Sequence, residues 1–177
     1  YLASNKFDSA LNTGWKSLHI AKTQQTIDES SVFKQLGNIY TKLYLSDSAL
    51  FYFEKYYRNL DLSEFSERLF ALQKISILHT ENGRLSKGLD YCIIGIRVAE
   101  KEDDKKFIAI FNNRIGTIYS KQNSYNKAIE YFQKALNSYE GLDYELGIAR
   151  SYANIGSAYF GQRKFEEASS YFTKAKN

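Results

Sequence analysis

The sequence contains no proline and only one cysteine, Cys92. Proline removes a backbone hydrogen-bond donor and breaks helices, so its absence leaves long stretches of the chain able to form helices. A single cysteine excludes a disulfide within the chain and a thiolate metal cluster. It does not fix the compartment, because secreted helical proteins also lack disulfides in some cases. We favour a cytoplasmic over a periplasmic location.

Long hydrophobic runs and blocks of like charge are also missing. The most apolar run, residues 91–96, is far shorter than the roughly 18 residues that span a membrane. The formal net charge of +4 comes from scattered Lys and Arg without a dense basic stripe, which disfavours nucleic-acid binding by this segment. No signal peptide is visible, and the chain opens at Tyr1 with no Met anywhere. We therefore interpret it as a fragment of a longer protein.

The composition is that of a globular protein with an unusual aromatic content. Of the 177 residues, 44% are hydrophobic and 25% are charged, which is not the signature of a disordered chain. The 15 Tyr and 12 Phe stand against one Trp. An aromatic bias of this size calls for a structural reason.

An internal repeat with a period of 39 to 40 residues runs through the chain. Two segments, one from Asn113 and one from Ala153, align without a gap. An earlier copy surrounds Gly37, and a weaker copy has Ser76 in the glycine position. A truncated copy opens the chain, with Tyr1, Phe7 and Ala10 in register. The predicted boundaries are a partial repeat over 1–28 and full repeats over about 29–68, 69–108, 109–148 and 149–177.

Each repeat is predicted to form two helices. Apolar residues recur at helical spacing before a short polar segment and again after it, as in residues 148–159 and 165–175. The turns are predicted at Ser46-Asp47, 81–83, 122–124 and Gly161-Gln162. Between the repeats, Asp61, Asp103 and Asp143 stand where helix caps are expected.

Small residues recur at two fixed positions of the repeat. Gly37, Gly116 and Gly156 fall in mid-helix, where Gly costs about 1 kcal/mol relative to Ala, so a second helix must cross there closely. Twelve residues later the repeat has alanine, at Ala49, Ala128 and Ala168. The excess of aromatic residues is then explained by rings that pack beside these small residues. The rings predicted to do so are Tyr40, Phe53, Tyr119, Phe132, Tyr159 and Phe172.

These residues resemble the tetratricopeptide repeat pattern, W-x2-L-G-x2-Y followed by A-x3-F. The first element appears around each of the three mid-helix glycines, and the second is present as Ala49–Phe53, Ala128–Phe132 and Ala168–Phe172. The Trp is replaced, the final Pro is missing, and the period exceeds 34 residues. The resemblance implies an all-α, right-handed superhelical solenoid of antiparallel helix pairs, forming one repeat domain over residues 1–177.

The sequence carries no catalytic motif. It lacks GxSxG, HExxH, P-loop and GxGxxG sequences, so we expect no enzymatic activity and no cofactor or metal. Of the two histidines, His19 and His79, the second occupies the slot that Tyr fills in other repeats, which predicts a core histidine. Cys92 stands in the slot of the buried Phe and is expected to be a small buried apolar residue.

The resemblance also indicates a binding face. In tetratricopeptide proteins the first helix of each pair lines the concave face, where amides pair with an extended backbone and basic side chains attract carboxylates. The Lys34-x3-Asn38 pair is similar to the pair that grips a terminal carboxylate in chaperone-binding repeats, although Ile110 stands where another basic residue is wanted. The opposing interpretation is that these are ordinary solvated residues. The candidate binding residues are Lys34, Asn38, Gln73, Lys74, Asn113, Arg114, Arg150 and Asn154.

We therefore predict a scaffold that binds a protein or peptide in this groove. Longer repeats of this type resemble those of bacterial sensor and regulator proteins, which implies a signalling or transcription-regulatory setting. The alternative is a peptide-sensing module that changes curvature or self-associates to control an attached output domain. Because Tyr171 and Phe172 keep the apolar pattern in the last helix, we expect this surface to be covered by another repeat, by a following domain or by a second copy, so a homodimer through the C-terminal helix pair also stays open. The sequence does not name the partner.

Overall fold

The structure, a computed structural model, describes residues 2–24 and 28–176, except for the side chains of 2–8, 10, 21, 22 and 24. The described residues contain helices and turns only, so the predicted all-α fold is confirmed. Tyr1 and the side chains of Phe7 and Ala10, on which the truncated repeat depends, lie outside the described part. The helices are α1 (Leu2–Gln24), α2 (Glu29–Lys42), α3 (Ser46–Asn59), α4 (Phe65–Glu81), α5 (Leu85–Lys101), α6 (Lys105–Lys121), α7 (Tyr125–Glu140), α8 (Glu145–Gly161) and α9 (Phe165–Lys176).

The helices fall into two compact units. Unit 1 is Tyr1–Arg84 and contains α1 to α4, and unit 2 is Leu85–Asn177 and contains α5 to α9. Within each unit every helix packs against the next one in the chain, and in unit 2 α6 also touches α8 directly. Short turns between packed neighbours make each unit a stack of antiparallel helix pairs, as the repeat pattern predicts.

The close helix crossings occur at the predicted glycines. A Cβ built on Gly37 would lie 3.0 Å from the ring of Phe53, and one built on Gly156 would lie 3.0 Å from the ring of Phe172. At Gly116 the same atom would lie 2.6 Å from the ring of Phe132. Since all three distances are shorter than ordinary carbon contacts, the prediction of close packing at these positions is confirmed.

Stacked tyrosines account for much of the aromatic excess. Each pair joins the first helix of a repeat to its second helix, with ring centroids about 5.5 Å apart, a favourable aromatic separation. His79 replaces the first-helix tyrosine in the weak repeat. It is buried as predicted, with its Nε2 3.8 Å from Oε1 of Glu54. The three pairs are Tyr40–Tyr52, Tyr119–Tyr131 and Tyr159–Tyr171.

The turns differ in detail from the sequence prediction. Ser46 and Asp47 are the first residues of α3, and the preceding turn has Tyr44 in the left-handed region at φ 58°. Asn123 and Arg163 adopt the same conformation in the later turns, at φ 58° and 62°. One left-handed residue per turn is the usual way to close a helix before the chain reverses.

The predicted aspartate caps are wrong at all three positions. Asp103 and Asp143 are the left-handed turn residues, at φ 50° and 49°, because a short polar side chain tolerates this conformation. The cap of α6 is instead Asp104, whose Oδ1 accepts a hydrogen bond from the Phe107 N–H at 3.0 Å. Asp61 lies before α4, where its N–H donates to the Glu64 carboxylate.

Candidate functional site

In unit 1 the predicted site residues lie on α2 and α4. Lys34 Nζ is 2.6 Å from Oε2 of Glu67, an ion pair between the two first helices of successive repeats. The Tyr56 hydroxyl donates a hydrogen bond to the same carboxylate oxygen. The ammonium group of Lys34 is therefore already neutralised within unit 1.

This cluster shifts the acidity of two groups. The hydrogen bond from Lys34, together with that from Tyr56, lowers the pKa of Glu67 below its ordinary value of 4.5. Burial, reinforced by the hydrogen bond to Glu67, raises the pKa of Tyr56. Tyr56 is therefore held as a neutral donor, and Glu67 as a carboxylate.

Phe70 brings the two lysines of this set together. Its ring centroid is 4.8 Å from Lys34 Nζ and 5.3 Å from Lys74 Nζ, both within cation–π range. Asn38 lies one turn beyond Lys34 on α2, and Gln73 is half-buried on α4 beside Lys74. Phe70 thus lies beside both lysines, and Lys34 Nζ is also 5.7 Å from the ring centroid of Tyr56.

In unit 2 the predicted residues lie on α6 and α8. Asn154 Nδ2 donates a hydrogen bond of 2.7 Å to Oδ1 of Asn113, joining the two first helices directly. Within the described residues, the NH₂ group of Asn113 and the side-chain oxygen of Asn154 make no other hydrogen bond. Asn113 is buried, with 7% of the residue exposed, and Asn154 is half-buried, so the pair leaves one unused donor group and one unused acceptor between α6 and α8.

Two arginines accompany this amide pair. Arg114 follows Asn113 on α6, and Arg150 lies one turn before Asn154 on α8. Burial raises the pKa of the nearby Tyr139 to about 12, and the positive charges of Arg150 and Arg114 act against that rise. Both arginines therefore carry their positive charge near one buried hydroxyl group.

Several important neighbours escaped the sequence analysis. Glu67, Tyr56 and Tyr139 gave no signal, because their roles depend on contacts between helices. Phe70 could have been found from the repeat alone. It occupies the same repeat position as Ile110, which the sequence analysis considered, and as Arg150, which it selected, and it lies three residues before Gln73. Among the described residues, no three His, Cys, Asp or Glu side chains come together in a way that could hold a metal ion. None of the described helices combines the length and apolar character needed to cross a membrane.

Residues 106–177 match the sequence model of the tetratricopeptide repeat family, which is less than half of the chain. The matched part includes the two copies with the clearest repeat pattern. The resemblance seen in the sequence is therefore confirmed. No curated protein matches the chain in sequence.

Several solved structures share the fold at low sequence identity. BtubC from P. vanneervenii is 15% identical with a TM-score of 0.83, and the alignment covers 99% of this chain and 74% of BtubC. The apo form of RapI is 13% identical with a TM-score of 0.85, covering 99% and 65%. Aspartyl phosphate phosphatase F from Bacillus subtilis is 16% identical with a TM-score of 0.78, covering 90% and 42%. Likeness at this identity shows the fold alone, which is a helical-repeat scaffold suited to protein–protein interaction.

Proposed function

We propose that unit 2 binds an extended peptide, or an extended segment of another protein, on the face that α6 and α8 share. The observation that carries this proposal is the Asn154–Asn113 hydrogen bond with its unused donor and acceptor. A peptide unit offers one C=O and one N–H. The Asn113 NH₂ group donates to that C=O, and the Asn154 side-chain oxygen accepts from the N–H.

The charge of the face favours a ligand that carries a carboxylate. Arg150 is exposed, and its guanidinium can bind a carboxylate with two parallel hydrogen bonds. The carboxylate can come from an acidic side chain or from a C-terminus. Amidating the C-terminus of a bound peptide distinguishes the two sources.

Unit 1 is a second candidate site for such a ligand, but binding there requires an existing ion pair to be broken. A ligand carboxylate at Lys34 has to replace Glu67, which already holds the ammonium at 2.6 Å. We therefore expect binding at Lys34 and Asn38 to be weaker than binding at Arg150 of unit 2. Reversing Lys34 and Arg114 to Glu together is expected to weaken partner binding without changing helicity.

The experiment is a selection of random peptides displayed on phage against the immobilised chain. The affinity of a selected peptide is then measured by calorimetry with the wild type, Asn154→Ala and Arg150→Glu. Asn137→Ala serves as the matched control, because Asn137 is an exposed amide on α7. We expect each site variant to lose about tenfold in affinity or more, as removal of a buried hydrogen bond or a charge pair does. A peptide that binds all four proteins equally would refute the proposal.

The wider setting is also part of the proposal. We place the chain in a bacterial signalling or transcription-regulatory protein, supported by the fold it shares with RapI and aspartyl phosphate phosphatase F. We assign the chain itself no catalytic activity. In the alternative role, the bound peptide changes the curvature of the repeat stack and so controls an attached output domain. X-ray scattering with and without a selected peptide distinguishes this role from that of a rigid scaffold.

A further inference from the structure

The side chain of Tyr139 reaches from α7 into the gap between α6 and α8. Its ring shares a buried cluster with Ala109 of α6, and Ile110 of α6 and Ile148 of α8 pack against that cluster. A Cβ built on Gly147 of α8 would lie 2.5 Å from Cγ of the ring. The ring of this second-helix residue therefore lies between two first helices, near the start of both.

The hydroxyl group of Tyr139 has no partner in the part of the chain that the structure describes. Only 3% of Tyr139 is exposed, and none of the described residues forms a hydrogen bond with its hydroxyl group. The positive charges of Arg114 and Arg150 act on this group, and each arginine stands about one turn beyond the residues that hold the ring. Because buried hydroxyl groups are nearly always paired, this one has an unused donor to offer beside two positive charges.

Unit 1 contains a complete version of this arrangement. There Tyr56, also from a second helix, donates a hydrogen bond to Glu67, and Lys34 pairs with the same carboxylate oxygen. One tyrosine hydroxyl and one basic side chain thus hold a carboxylate between α2 and α4. Eighty residues after Glu67, the equivalent position of α8 is Gly147. Unit 2 therefore lacks a carboxylate at the position from which unit 1 supplies its own.

A ligand can supply the carboxylate in unit 2. Arg150 is exposed, and among the described residues it forms no ion pair. We propose that the cleft between α6 and α8 holds one carboxylate of the ligand, with Arg150 pairing with its charge and the Tyr139 hydroxyl donating a hydrogen bond to it. This inference rests on the proposed function, to which it adds the group that recognises the carboxylate from inside the cleft. Arg150 and Asn154 are about 6 Å apart along α8, so one ligand can contact both.

The stability of the free chain tests whether the Tyr139 hydroxyl is unpaired. Tyr139→Phe keeps the ring that packs on Gly147 and removes only the hydroxyl group, so the melting temperature of the free chain should stay unchanged or rise. Tyr56→Phe is the matched comparison. It removes a hydroxyl that is already bonded to Glu67, and its melting temperature should fall. An equal fall for Tyr139→Phe would show that its hydroxyl is paired within the chain, and would overturn the proposal.

Binding of altered peptides tests the recognition of the carboxylate. The probes are the peptide selected on phage and copies of it in which one Asp or Glu at a time becomes Asn or Gln, or the C-terminus is amidated. The copy that binds the wild type more weakly identifies the source of the carboxylate, a side chain or the C-terminus. By calorimetry, Tyr139→Phe should bind the unaltered peptide about tenfold more weakly than the wild type does. The two proteins should bind the copy that lacks the carboxylate equally.

Tyr125→Phe is the control for the loss of a tyrosine hydroxyl group from α7. The Tyr125 hydroxyl donates to Asn123 in the turn before α7, so this variant should bind every peptide as the wild type does. A selected peptide whose affinity depends on none of its carboxylates would refute the subsite. So would a loss at Tyr139→Phe that is equally large for every copy of the peptide.

The same measurements separate this inference from the proposed function. When Arg150→Glu and Asn154→Ala weaken binding but Tyr139→Phe does not, the peptide site stands and the Tyr139 subsite is refuted. When no variant weakens binding, or the selection yields no peptide, the proposed function itself fails.

Discussion

Phe132 packs with the edge of its ring directly on the backbone of Gly116, so that a Cβ added to Gly116 would lie 2.6 Å from the ring. The same Cβ would lie 3.1 Å from the backbone oxygen of Ala128. Glycine is a poor residue for a mid-helix position, and it is needed here because the returning helix approaches too closely for any side chain.

This contact reverses the usual effect of replacing glycine in a helix. Gly116→Ala gains about 1 kcal/mol of helix propensity but forces Phe132 out of its buried place. Overpacking of this kind costs roughly 1–3 kcal/mol, so we expect a net loss in the free energy of unfolding, and a larger loss for Gly116→Val. Urea denaturation of the wild type and the two variants measures this loss in the free energy of unfolding.

Gly141→Ala is the matched control for this comparison. Gly141 follows α7, and a Cβ there would meet nothing closer than the Asn137 oxygen at 3.6 Å, an ordinary contact. We expect its free energy of unfolding to be unchanged or slightly raised. Equal effects of Gly116→Ala and Gly141→Ala would contradict the packing account.

Two equivalent phenylalanines should differ in their contribution to stability. Phe132 is almost fully buried, and Phe132→Ala is expected to cost about 3–5 kcal/mol. Phe172→Ala should cost about half as much or less, because 42% of that residue is already exposed to solvent. Urea denaturation of both variants compares the two costs.

The two adjacent aspartates before α6 should also differ in their contribution to the free energy of unfolding. Asp104 accepts the hydrogen bond of the Phe107 N–H, and Asp104→Ala is expected to destabilise the chain by about 0.5–2 kcal/mol. Asp103 has a left-handed backbone, which glycine adopts without steric cost, so Asp103→Gly should be neutral to within about 0.5 kcal/mol or stabilising. Chemical denaturation of both variants is the measurement. A cost at Asp103→Gly as large as that at Asp104→Ala would show that the cap is wrongly assigned.

The Lys34–Glu67 pair predicts a pH dependence of stability. Because the folded state lowers the pKa of Glu67, the unfolded state binds the proton more readily, and the contribution of Glu67 is present above pH 4.5. That contribution is lost as the pH falls through and below this value. Both side chains are about one-third or more exposed, so solvent screening limits the contribution to about 1 kcal/mol or less.

Comparing the wild type with Glu67→Gln tests this pH dependence. The melting temperature of the wild type should exceed that of the variant at neutral pH, and the difference should shrink as the pH falls below 4.5. Added salt should reduce the difference at neutral pH, since the pair is partly exposed. A difference that stays constant with pH would show that Glu67 acts through packing alone.

The core positions were predictable because they depend on local, repeated spacing. Gly37, Gly116 and Gly156 each meet the aromatic ring sixteen residues later, and this separation is the same in these three helix pairs. The turn chemistry was less predictable. Asp103 and Asp104 have the same side chain, and which of them caps α6 depends on the backbone angles between them.

The candidate site was predictable as a set of positions and not as a set of pairs. Repeat position alone selected Asn113 and Asn154, and the structure joins them by a hydrogen bond. It also joins Lys34 to Glu67, a residue that the repeat position did not select.

The sequence by itself determined the helix pairs and the residues that face their cores. Helical periodicity and the alternation of small and large side chains act between residues close together in the chain, so they can be read without coordinates. Only the tertiary structure decided which polar groups meet. Lys34 and Glu67, and Asn113 and Asn154, come from successive repeats, and a shift of about one ångström between packed helices would separate such groups beyond hydrogen-bond distance.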